Sequence, residues 1–152
     1  MCTTLRRLGP LVPPCVWAAV LKAMMGGWTM MHADARRTHC CFGCNMGQDF
    51  LWHYAHCPNV ADLALRRLRL APSPDADRLM DFLMMNGQYN DSHLARGALR
   101  LYATYMATNA IRNERTAGAS EAWIQAMTEA AGCDAPVGRM VAAFWSAPPT
   151  SP

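Results

Sequence analysis

Residues 39–57 hold four cysteines and three histidines: Cys40, Cys41, Cys44 and Cys57 with His39, His53 and His56. Written as ligands, Cys41, Cys44, His53 and Cys57 give C-x2-C-x8-H-x3-C. Cys41 and Cys44 suit a tight turn, where Gly43 permits the bend that aims both sulfurs at one ion. His53 and Cys57, four apart, share one face of a helical turn, so imidazole and thiolate converge. Three thiolates and one imidazole in a closed tetrahedron are a structural Zn2+ set, with no open position for a substrate. Two alternatives stay open. Cys40 can replace Cys41 with C-x3-C spacing, and His56 or His39 can compete for the fourth place. Phe42, Phe50, Leu51 and Trp52 supply the apolar packing that a small knuckle needs.

The chain's 7 cysteines are an odd number, which excludes a fully paired disulfide framework. Their mixture with histidine favours metal binding in a reducing compartment, and so an intracellular location, nuclear or cytoplasmic. A redox dithiol at Cys41-Cys44 is the weaker reading, because no strand pattern flanks it. Catalytic residues are not expected anywhere, and the chain reads as a non-enzyme.

Charge is unevenly spread. Of the 14 basic residues Lys22 is the only lysine. Residues 1–71 carry eight Arg/Lys against three acids, +5, and residues 72–152 carry six against eight, −2. A zinc ion with three thiolates lowers the first figure to about +4. Arg36, Arg37, Arg66, Arg67 and Arg69 flank the cysteine cluster in sequence, with Trp52 and Tyr54 as stacking surfaces. That set suits the phosphate backbone of RNA or single-stranded DNA. The plainer reading is a solvated helix face on which Asp62 pairs with Arg66. No membrane partner is expected. The apolar run of residues 11–31 is interrupted by Pro13-Pro14 and Gly26-Gly27 and carries Lys22 at its middle.

The positioning elements read as helices, giving a mainly α chain: a small zinc-knuckle module embedded between helices, followed by a helical bundle. Residues 15–28 form a helix after Pro13-Pro14, and residues 29–39 are helical in part. Pro58-Asn59 opens a helix to about residue 70, with Ala61, Leu65 and Leu68 as its apolar face. Ser73 caps a helix whose Leu79, Phe82 and Leu83 point inward. The longest periodic segment is 92–116, with Ser92 as its cap and Ala98, Leu101, Tyr102, Tyr105, Met106 and Asn109 recurring at helical spacing. Ser120 caps a further helix carrying Trp123, Ile124 and Met127, and a last short one spans 137–145. The expected organisation is a disordered tail over 1–12, a helix plus knuckle over 13–71, a bundle over 72–146 and a disordered tail over 147–152.

Several of these stretches together resemble the zinc-binding segment C-terminal to the reverse transcriptase of non-LTR retrotransposons, in the version found in some protist elements. The matching positions are Trp28-Thr29, Arg36-Arg37, Cys41-Phe42-Gly43-Cys44, Asp49 and His53-Tyr54-Ala55-His56-Cys57-Pro58. Leu101-Tyr102-Ala103-Thr104-Tyr105 and Asn109-Ala110-Ile111-Arg112 look like its trailing helix. The likeness spans roughly residues 15–115. No Tyr-x-Asp-Asp-like pair is present to hold catalytic Mg2+, so the resemblance implies a fragment lacking the polymerase core. The resulting expectation is a zinc-stabilised nucleic-acid-binding module. The alternative is a zinc-stabilised protein-interaction domain whose partner docks on the 92–116 helix.

Overall fold

Proline and capping side chains account for most of the helix starts in this computed structural model, which describes residues 2–28, 39–46, 49–71, 77–85, 89–113 and 118–132. Helix α1 (Cys2–Leu8) runs into a 3-10 turn (Gly9–Leu11), and α2 (Pro14–Met24) follows with Pro14 at its first position. There the missing proline N–H removes nothing from the helix. A Schellman closure ends α2: Gly27 N donates to Lys22 O (2.7 Å) and Gly26 N to Ala23 O (3.1 Å). The short α3 (Leu51–His56) and α4 (Pro58–Leu68) meet at Cys57, and Pro58 starts the second. Asp77 caps α5 (Arg78–Phe82) by accepting from Leu79 N and Met80 N. Asn90 caps the long α6 (Asp91–Arg112) by accepting from His93 N, so the cap falls two residues before the expected Ser92. Helix α7 (Ala119–Gly132) takes Ser120 into its first turn instead of using it as a cap.

The described residues are thus helical with no strand, and the Cys/His cluster lies between α2 and α4. Helix α6 is the spine. Twelve of its 22 residues are buried, because α1, α2, α4 and α7 all pack on it. Leu94, Ala98, Leu99, Leu101 and Ala107 lie in the core, and Thr104 and Thr108 satisfy their buried hydroxyls on Arg100 O and Tyr105 O. From α7, Trp123 and Met127 are fully buried, and Trp123 Nε1 donates to Thr104 Oγ1. Much of the apolar face of α6 is therefore used internally. No large hydrophobic side chain of α6 is exposed among the described residues.

Three expectations need correction. Within the tail expected over 1–12, residues 2–11 are helical and the segment is packed: Leu8 and Val12 are core residues, and Arg7 bonds Asp91 and the Tyr89 carbonyl on α6's approach. The two-part division is replaced by one continuous core from Leu8 to Ala130, in which Tyr54 and Cys57 join Phe82 and Leu99. Finally, Pro58 sets the phase of α4 so that Val60, Ala64 and Leu68 face inward, while Leu65 is 50% exposed. The helical parts expected within 29–38, the Ser73 cap, the 137–145 helix and the 147–152 tail lie outside the described residues.

Candidate metal centre

Two left-handed residues shape the knuckle. Gly43 (φ +69°) and Asn45 (φ +56°) turn the chain sharply, and Gly43 N closes on Cys40 O at 3.0 Å. The turn directs backbone N–H groups at sulfur: Phe42 N lies 3.4 Å from Cys40 Sγ and Met46 N 3.5 Å from Cys44 Sγ. Phe42 is buried and packs edge-on against Tyr54, with ring centroids 5.7 Å apart. Asn59, in the first turn of α4, donates to Phe42 O at 2.6 Å and ties the turn to that helix. His53 projects from α3, and Cys57 sits at the N-cap of α4, where Asn59 N and Val60 N face its sulfur. A helix N-terminus favours a thiolate there.

These elements gather Cys40, Cys44, His53 and Cys57, whose ligand atoms all lie within 4.8 Å of one another. Cys40 Sγ is 3.7 Å from Cys57 Sγ, and Cys44 Sγ is 3.2 Å from His53 Nε2. A tetrahedral ion with metal–sulfur bonds of about 2.3 Å requires an S···S edge of about 3.8 Å and an S···N edge of about 3.6 Å. The first edge fits closely and the second is slightly short. A disulfide, with sulfurs about 2.05 Å apart, is excluded at the first. Cys40, His53 and Cys57 are buried and Cys44 is half-buried. In such a place the two thiols shift each other in opposite directions. The contact with Cys57, then burial, pushes Cys40 up to about 12. The same contact, then the two N–H groups, holds Cys57 below the ordinary thiol value against its burial. A cation relieves that conflict. The four residues can hold a metal ion, in a donor set compatible with zinc.

The expected ligand Cys41 is not among them. It is half-buried on the other side of the turn, beside the Tyr54 hydroxyl and Asp49, and burial raises its pKa. The spacing of the cluster is therefore C-x3-C, with Cys40 in Cys41's place. Neither histidine alternative joins the set: His39 is exposed, and His56 turns away, its Nδ1 donating to Trp52 O at 2.8 Å.

Behind the cluster lies a second arrangement that spacing alone does not reveal. Asp49, on the loop between Cys44 and His53, is 4% exposed. It accepts from the Tyr54 hydroxyl and, through both oxygens, from Arg112 at the end of α6 (Nε–Oδ2 2.9 Å, Nη2–Oδ1 2.7 Å). Burial works to raise its pKa, but the bonds from Arg112 and Tyr54 together hold it below the usual carboxylate value. Tyr54 is shifted upward, by burial first and Asp49 second. The ligand-bearing loop is thus clamped to the bundle. The one sequence signal was the isolated acid between the two ligand pairs.

Of the expected nucleic-acid contacts, Arg66, Arg67 and Arg69 are exposed in α4 and at its end, and Arg66 pairs with Asp62 at 2.8 Å as the plainer reading has it. Arg36 and Arg37 lie outside the described residues. Tyr54 is 1% exposed and offers no stacking surface, whereas Trp52 is 54% exposed. No helix among the described residues is long and apolar enough to cross a membrane. Compared with protein-family models, curated proteins and solved structures, the chain matches none.

Proposed function

We propose that the chain is a zinc-stabilised, non-catalytic nucleic-acid-binding module, similar to the segment that follows the polymerase core in non-LTR retrotransposons. The observation that carries this reading is the convergence of Cys40, Cys44, His53 and Cys57. Three soft sulfurs and one imidazole at near-tetrahedral spacing select zinc over harder cations. Four protein ligands leave no open position, which supports a structural ion and a module without catalysis of its own. The stretches that carry the resemblance also meet in space: the Trp28 ring lies 6.1 Å from Tyr54 and 5.3 Å from Tyr105, and Asp49 is held by Arg112.

Arg66, Arg67 and Arg69, on the helix that begins at Cys57, supply the phosphate contacts, with RNA or single-stranded DNA as the partner. Their binding is salt-dependent and weakly selective for sequence. The test is a salt titration of the zinc-loaded protein against a short oligouridylate. Replacing all three arginines by Ala is expected to weaken binding and to lower the log–log salt slope by about 2, at roughly 0.7 per phosphate contact on a single strand. Unchanged affinity and slope would remove these residues from the interface.

A further inference from the structure

Of the four large apolar side chains exposed among the described residues, two lie within the span that carries the ligands: Met46 at 78% and Trp52 at 54%. Trp52 belongs to α3, the helix that presents His53, and it does not stand alone. The His56 ring lies nearly parallel to it, 27° between planes and 4.2 Å between centroids. The Phe50 ring is also nearly parallel, at 22° and 6.3 Å. His56 is locked in that pose by its Nδ1 bond to the Trp52 carbonyl, one helical turn back. The core pairs Trp28–Tyr105 (70°) and Phe42–Tyr54 (76°) meet edge-on; Tyr89 and His93 form another near-parallel pair (19°), but neither of those rings is exposed as Trp52 is. Here the indole lies nearly parallel to each of two neighbouring rings, and it is 54% exposed.

We infer that Trp52, braced by His56 and Phe50, is a stacking platform for an unpaired base of a single-stranded nucleic acid. This inference rests on the nucleic-acid reading above and names the residue that takes the base. A braced indole loses little freedom when a flat ring settles on it, and stacking of this kind accepts any base because every base has a π-face. The charge fits a polyanion: Arg66, Arg67 and Arg69 are exposed on the adjoining helix, and residues 1–71 carry +5 in sequence before metal. The arginines hold the backbone and the indole holds the base, so the two contributions separate by experiment.

The zinc-loaded full chain is titrated with short oligothymidylate and with the same phosphodiester backbone lacking bases. Trp52→Ala is expected to weaken oligothymidylate binding by about tenfold or more, the range for one base–aromatic stack. Its binding of the abasic strand, its salt slope and its zinc content should match the parent, and Trp52→Phe should recover most of the loss. If parent and Trp52→Ala bind oligothymidylate equally, the platform is wrong while the arginine interface stands. If the loss is the same on the abasic strand, Trp52 acts through the fold and not through a base. If the parent binds neither strand, both readings fall.

Discussion

Cys40→Ser is expected to abolish zinc binding, whereas Cys41→Ser should keep the metal. The Cys40 sulfur lies 3.7 Å from that of Cys57, at the edge length of a shared tetrahedral ion, while Cys41 leaves the turn toward Tyr54 and Asp49. A structural zinc site of this type is worth about 10–16 kcal/mol apparent at neutral pH. That is as large as the entire net stability of an ordinary domain, about 5–15 kcal/mol. Losing it should release the 39–46 turn and then α3 and α4, whose buried Tyr54, Val60 and Leu68 sit in the shared core. Metal content and a thermal melt by circular dichroism check both variants. Cys41→Ser exchanges a half-buried thiol for a smaller polar group and should shift the melt only slightly. The reverse pattern, metal lost with Cys41 and retained without Cys40, would restore the C-x2-C assignment.

The second large effect belongs to Asp49 and Arg112. Asp49 is buried and Arg112 partly so; removing one member of a fully buried pair costs about 3–5 kcal/mol, which is the upper end for this one. Arg112→Ala should therefore lower the denaturation midpoint of the zinc-loaded protein substantially and weaken zinc retention against a chelator, since Asp49 lies on the ligand loop. In the double variant Asp49→Asn/Arg112→Ala the two losses should fall short of additive, which is the mark of a direct pair. Acid provides a further check. The folded pKa of Asp49 lies below its ordinary value of 3.8, so its contribution is complete above that value and is lost as pH falls through the folded pKa. Asp49→Asn should flatten this part of the acid limb, which lies below about pH 4. An additive double variant, or an acid limb identical in Asp49→Asn, would reduce the clamp to a surface contact.

How far the sequence spoke depended on whether a feature was local. Helix content was legible because Pro14, Pro58 and the Gly26-Gly27 pair act within a few residues of themselves. The metal cluster was legible as a composition of donors, since three of the four ligands follow from spacing alone. The fourth did not, because choosing between adjacent cysteines depends on turn dihedrals at Gly43 and Asn45 that ligand counting does not contain. Helix α6 looked like an amphipathic face and is instead a spine covered from several sides, a matter of how many helices pack on it. The first helix was missed for the same reason: seven residues are too few to hold a helix alone, and this one is held by burying Leu8 and by the Arg7–Asp91 bond, which spans more than eighty residues. The Asp49–Arg112 clamp, 63 residues apart, is equally invisible to local reasoning.

The central claim is that Cys40, Cys44, His53 and Cys57 hold a zinc ion, and X-ray absorption at the zinc edge of the purified protein tests it most directly. The predicted spectrum shows one zinc per chain with three sulfurs at about 2.3 Å and one nitrogen at about 2.0 Å, and loses this shell in Cys57→Ser. A folded chain carrying no zinc, or a shell of oxygens in place of sulfur, would contradict it.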